Sequence, residues 1–145
     1  MTQAAMQSAQ SYAHDPRNDN VEVYVNGAFF PRNEASVSVF DAGFVLGDGV
    51  WEGLRLVKGQ LLAVNEHMDR LYEGANSIQL DIGLSRAALV EEIHKTLRHN
   101  QMEDGVHIRL MISRGLKSTP NQDPRFIVGG ATIVIVAEYK QPNAA

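Results

Sequence analysis

Residues 40–56 read FDAGFVLGDGVWEGLRL: Gly43, Gly47, Gly49 and Gly53, three acids and the single tryptophan, Trp51, fall in one short run. Three chemistries could ask for such a run: a loop that cradles phosphate, a loop that binds metal, or a tight corner feeding a strand. The phosphate loop fails, because the glycines fit neither GxxxxGK[ST] nor GxGxxG. The residues after them also have the period of a strand, not of the helix whose N-terminus would face the anion. A calcium loop fails too, since Asp41, Asp48 and Glu52 lack the alternating acidic order such loops need. A glycine-made corner remains, where another group can approach the backbone closely. From residue 50 onward a period of two puts Trp51, Gly53 and Arg55 on one face, and Val50, Glu52, Leu54 and Leu56 on the other.

Upstream, VEVYVNGAFF alternates Val21, Val23 and Val25 against Glu22, Tyr24 and Asn26 and ends in Asn26-Gly27, a hairpin signal. SVSVF, residues 36–40, repeats the two-residue period. Downstream, Lys58-Gly59 marks a turn back into QLLAV. The period then changes to that of a helix: Met68, Leu71, Tyr72, Ala75 and Ile78 make one stripe behind Asn65 as the expected cap. Ser85 caps a second helix whose buried stripe is Leu89, Val90, Ile93 and Leu97. Asp104-Gly105 opens the strand VHIRLMISRG, and ATIVIVAEY reads as the last strand. Strands, two helices, then strands again predict an α+β domain over residues 21–140, with residues 1–20 as a loose polar tail. The loop holding Pro120 and Pro124 is the longest irregular segment, and long loops in compact domains are often functional.

Composition narrows the function classes. The chain has 145 residues, 44% hydrophobic and 21% charged, which suits one globular domain with a modest core. It has no cysteine, which excludes disulfides and thiolate-bound metal and fits a reducing cytoplasm. A formal charge of -4 with no Lys/Arg cluster gives no pull toward nucleic acid. No apolar run is long enough to span a bilayer, so no membrane partner is expected. His14, His67, His94, His99 and His107 show no metal-ligand spacing.

The strand that begins at Val106 carries His107, Arg109, Met111 and Ser113 on one side. If it shares a sheet with the Trp51 strand, an aromatic, a glycine gap, two arginines and a histidine form a floor suited to an anion. The solvated face of a half-buried sheet explains the same residues. Arg70 also has two readings: an anion contact, or a surface ion pair with Glu66 four positions earlier, worth about 0.3 kcal/mol.

Taken together, VYVNGAFFPRNEASVSVFDAGFVLGDGVWEGLRL, VNEHMDRLYEGANSI and DGVHIRLMISRG resemble the N-terminal domain of the fold-type IV (class IV) pyridoxal phosphate aminotransferases, from about Val21 to Tyr139. The resemblance implies an antiparallel sheet with two helices packed on one side. It implies pyridoxal 5'-phosphate as cofactor, an amino acid and a 2-oxo acid as substrates, and a homodimer. Residue by residue, Arg70 matches the arginine that binds the cofactor phosphate, where a bidentate grip is expected. Trp51, Gly53 and Arg55 match the substrate pocket of the branched-chain enzymes. Arg109 matches an arginine that receives an acidic substrate side chain, and His107 shares its face. Leu46 stands where the branched-chain and D-amino acid enzymes of the family generally have tyrosine, so a hydroxyl that would orient the substrate carboxylate is missing. Thr119 and Asn121 fall near the places where D-amino acid enzymes trap that carboxylate with arginine and histidine; RGLKSTP is closer to the (R)-selective amine transaminases.

No catalytic residue is expected within these 145 residues. The family's Schiff-base lysine lies in a second domain, and Lys58, Lys95, Lys117 and Lys140 do not match it. The resemblance thus predicts a branched-chain-type half-enzyme that is inactive alone, with an (R)-amine or D-amino acid transaminase as the alternative. A non-catalytic binding or dimerisation module is the reading from another class.

Overall fold

The computed structural model describes residues 13–141. Nine principal elements follow one another: β1 (Glu22–Val25), β2 (Ala28–Pro31), α1 (Ala42–Leu46), β3 (Gly49–Val57), β4 (Gln60–Leu61), α2 (Val64–Ser77), α3 (Arg86–His99), β5 (Val106–Ser113) and β6 (Thr132–Tyr139). The strands form a six-stranded sheet in the order β2-β1-β6-β5-β3-β4, and every pairing is antiparallel. The expected α+β class and antiparallel sheet are what the chain adopts.

Alternation decides which face is covered. Leu54 and Leu56 of β3, Val106, Ile108, Leu110 and Ile112 of β5, and Ile133, Ile135 and Ala137 of β6 all point one way and are buried. Met68, Leu71 and Ala75 of α2 and Leu89, Ile93 and Leu97 of α3 bury their stripes in the same cluster. Each fully buried leucine or isoleucine contributes about 1.5–3 kcal/mol through removal from water. Both long helices therefore use this face, and the other face of β3 and β5 stays free of them.

Local detail departs from the sequence reading in four places. Residues 36–40 are irregular, not a strand; Phe40 O accepts from Lys117 N at 2.9 Å beside an isolated bridge of Asp41 with Leu116, and no ladder extends from it. The stretch read as a bare glycine corner holds α1, a single helical turn. Its N-cap is Asp41, whose side chain accepts from Gly43 N, and Gly47 ends it in the left-handed conformation. The N-cap of α2 is Ala63 with φ 49° and no side-chain hydrogen bond; Asn65 lies inside the helix. Finally, Pro16–Asn20 forms a 3-10 turn where a loose tail is expected. Asn18 is buried there, giving Nδ2 to Tyr139 O (2.9 Å) and receiving Tyr139 N on Oδ1 (2.7 Å). Residues 1–12, the rest of the expected tail, lie outside the described residues.

Candidate functional site

The register of β3 against β5 builds a wall on the face the helices leave free. Trp51 pairs with Met111, Gly53 with Arg109 and Arg55 with His107, so the side chains predicted to share a face do share it. On the other side of β5, Val134, Val136 and Glu138 of β6 extend the row beside Met111, Arg109 and His107.

The wall's contacts are specific. The Arg109 guanidinium lies 4.1 Å above the Trp51 ring, a cation–π contact worth about 0.5–1 kcal/mol at an exposed site. Arg55 Nη1 donates to the carbonyl of Lys140 at 2.7 Å. The gap expected at Gly53 is filled: a Cβ there would stand 3.2 Å from His107 Nε2. Glycine at 53 thus makes room for the imidazole. Burial first, then the positive charges of Arg55, Lys140 and Arg109 outweighing Glu138, push the His107 pKa below its usual 6.5. His107 is therefore neutral at pH 7, and the wall's cationic character comes from its arginines.

Beside Trp51 the wall opens into an apolar groove of ≈ 430 Å³, bordered by Val37, Phe44, Met111 and Val134. Helix α1 roofs it and is held by Asp41. One carboxylate oxygen accepts from Gly43 N (2.8 Å) and Ser113 Oγ (2.6 Å), the other from Thr132 Oγ1 (2.6 Å). Gly49 lets the chain leave α1 against β5, since a Cβ there would meet Ile112 O at 2.5 Å. A second clamp joins Asp48 to Arg114 (2.7 and 3.1 Å), which also holds the carbonyls of Ile78 and Gln79 at the end of α2.

Leu46 is the last residue of α1 and is exposed; the α1 side chain that lines the groove is Phe44. The roles of Phe44, Val37, Asp41 and Arg114 depend on where irregular segments fold back, which sequence periodicity does not show. The 116–125 loop is fastened down. Lys117 is buried with Nζ 3.3 Å from Asp123 O, and its amide donates to Phe40 O, while Thr119 and Asn121 are exposed.

Arg70 does not stand on the wall. It reaches β3 from the helix side and pairs with Glu52 rather than Glu66: Nε to Oε1 is 2.6 Å and Nη2 to Oε2 is 2.7 Å. Its neighbour His67 puts Nδ1 2.7 Å from Glu52 Oε2. The reason is parity, since Glu52 projects from β3 opposite to Trp51 and Gly53. Glu52 was legible as a signal: a carboxylate at an inward position between apolar neighbours demands a partner. The Arg70 side chain remains 71% exposed, and its Nη1 has no partner among the described residues. An exposed guanidinium with a free donor fits an anionic group such as a cofactor phosphate.

Comparison with known proteins bears on the family and the fold. The family model for amino-transferase class IV matches residues 49–144. Branched-chain-amino-acid aminotransferase-like protein 1 of Arabidopsis thaliana is 40% identical over 127 residues, covering 88% of this chain and 23% of the plant protein. D-alanine aminotransferase of Staphylococcus haemolyticus is 33% identical over 121 residues, 83% of this chain and 43% of that enzyme. Among solved structures, the branched-chain aminotransferase of the thermophilic archaeon Thermoproteus uzoniensis, with norvaline, superimposes with TM-score 0.66 at 27% identity. That match covers 81% of this chain and 40% of the solved one, so the chain spans less than half the length of these relatives. Sheet, helices and family model together place it: the chain belongs to the class IV aminotransferase family, with the fold of the N-terminal domain of the branched-chain enzymes.

Proposed function

We propose that residues 21–140, with the Pro16–Asn20 turn that packs on Tyr139, form the small N-terminal domain of a pyridoxal phosphate-dependent aminotransferase of branched-chain type, passing an amino group from an L-amino acid to a 2-oxo acid. The observation that carries this reading is the single wall bearing Trp51, Gly53, Arg55, His107 and Arg109 beside an apolar groove. When bound, the cofactor supplies the electron sink that makes the amino acid's α-carbon acidic. The chain's own side chains bind and orient. Arg70 offers a donor to the cofactor phosphate. Arg55 and Arg109 receive an acidic substrate side chain, with His107 beside them as a neutral hydrogen-bonding group. The groove between Phe44, Trp51 and Met111 takes a branched aliphatic side chain out of water. Leu46, without a hydroxyl, leaves carboxylate orientation to other groups.

In this reading the protein works as a homodimer in the cytoplasm, and the 145-residue chain alone does not transaminate. Supporting the inactivity, none of Lys58, Lys95, Lys117 and Lys140 matches the family's Schiff-base lysine, and Lys117 is buried with Nζ 3.3 Å from Asp123 O. The test is to incubate the purified chain with pyridoxal phosphate, 2-oxoglutarate and a donor panel of L-leucine, L-valine, D-alanine and an (R)-amine. No glutamate is expected, nor any oxo acid from the amino acids or ketone from the amine; turnover of any donor overturns the inactivity. The likeness to D-alanine aminotransferase supports a second reading, in which D-alanine is the donor. The same panel, run on a protein that carries both domains, separates the two.

A further inference from the structure

Glu52 is the one charged side chain on the helix-facing side of β3, and it is 4% exposed. A carboxylate so placed must be met by donors, and three N–H groups converge on it. Arg70 Nε reaches Oε1 at 2.6 Å, Arg70 Nη2 reaches Oε2 at 2.7 Å, and His67 Nδ1 reaches Oε2 at 2.7 Å. An ionised carboxylate only accepts, so His67 holds its proton on Nδ1. The 3.3 Å approach of Arg70 Nη2 to His67 Nδ1 is then two donors sharing one oxygen, not a bond between them. The Nε/Nη2 edge of the guanidinium, an edge suited to gripping an oxyanion with two parallel bonds, is thereby closed. Nη1 is the nitrogen left without a partner among the described residues.

We propose that Glu52 is a positioning residue for the anion site: by holding the Nε/Nη2 edge of Arg70 it turns the Nη1/Nη2 end of the guanidinium outward, so that a phosphate is met end-on by Nη1 and the remaining N–H of Nη2. This rests on the reading of Arg70 as the phosphate contact and moves the bidentate grip that the resemblance suggests from the Nε/Nη2 edge to the Nη1/Nη2 end. Because Glu52 lies between Trp51 and Gly53, the strand that carries the wall also sets the direction of Arg70 from its opposite face. Charge and position have opposite signs here. A carboxylate that merely offset the guanidinium would weaken anion binding, and its removal would strengthen it. A carboxylate that aims the guanidinium strengthens binding, and its removal weakens it.

The experiment uses the 15N-labelled 145-residue chain, with Arg70→Lys to assign the Arg70 side-chain resonances. Pyridoxine 5'-phosphate is the titrant, since it carries the phosphate without an aldehyde that would react with lysines, and pyridoxine is the control. The Arg70 Nε–H is expected to exchange with water on the order of tenfold more slowly than that of free arginine. On titration the Nη1 resonance moves while Nε stays fixed. An unprotected Nε–H in the unsubstituted chain, or an Nε that moves with the phosphate, overturns the proposal without any variant. Glu52→Gln and Glu52→Asp are each expected to weaken binding on the order of tenfold, because aspartate keeps the charge but loses one methylene of reach. Undiminished binding in Glu52→Asp, or equal or tighter binding in Glu52→Gln, also overturns it. Failure of the unsubstituted chain to respond to the phosphate rejects Arg70 as the phosphate contact and with it the outward Nη1 role. The exchange measurement still decides whether Glu52 holds the edge, so the two failures are told apart.

Discussion

His107 shows how one residue's surroundings set its chemistry. Partial burial and three nearby cations favour the neutral ring, so its folded pKa lies below the unfolded value of about 6.5. Above that value neither state binds the proton and the fold keeps its full stability. As pH falls below it the unfolded chain protonates first, and stability declines until the folded pKa is passed. Proton NMR of the imidazole is expected to show a midpoint below 6.5, and His107→Gln to flatten that part of a melting-temperature profile. A midpoint at or above 6.5 would contradict the electrostatics described for the wall. At this scale the sequence was informative wherever strand parity was enough: Trp51, Gly53, Arg55, His107 and Arg109 all face as alternation says. It misled on the Arg70 partner, because Glu66 is near in sequence while Glu52 is near in space.

Among the elements, α1 depends most on a few polar bonds. Its five residues cannot sustain a helix by propensity, since nucleation costs more than one turn returns. Asp41 supplies the difference by capping α1 and tying it to Ser113 and Thr132. Asp41→Ala removes the cap and leaves three donors without their acceptor, an expected loss of roughly 2–4 kcal/mol. Urea unfolding measures the loss, and amide exchange at Gly43 should rise more than at Ile108 in the core. A change below about 0.5 kcal/mol, the scale of an ordinary surface substitution, would show that α1 is held by something else. The long helices and the three long strands were readable because their buried stripes run for several turns or residues. Helix α1 was not, because its five residues carry no repeating stripe and the partners of its cap, Ser113 and Thr132, lie far along the chain on β5 and β6.

For the whole molecule, the two faces of the sheet have different fates. The helix side is closed by apolar packing, whereas the far side shows Trp51 and Phe44 at 60% and 73% exposure, with Val37 in the same groove. Apolar surface so arranged favours association. Light scattering on the chain at rising concentration is expected to show species above 16.0 kDa, and Phe44→Ser to reduce them. A mass that stays monomeric throughout would mean the groove is too shallow or too polar at its rim to pair. The sheet order was hidden from the sequence: β1 pairs with β6 across more than a hundred residues, and only the finished core selects that partner.

The reciprocal bonds between Asn18 and Tyr139 also bear on where this unit can be trimmed. Starting the polypeptide at Val21, the boundary that hydrophobic patterning invites, would discard Asn18 and also Arg17, whose guanidinium lies 3.8 Å above the Tyr139 ring. The closing end of β6 would then lose the stitch that ties it to the opening of the chain, and fraying would begin next to Glu138 and Lys140, at the margin of the arginine-bearing surface.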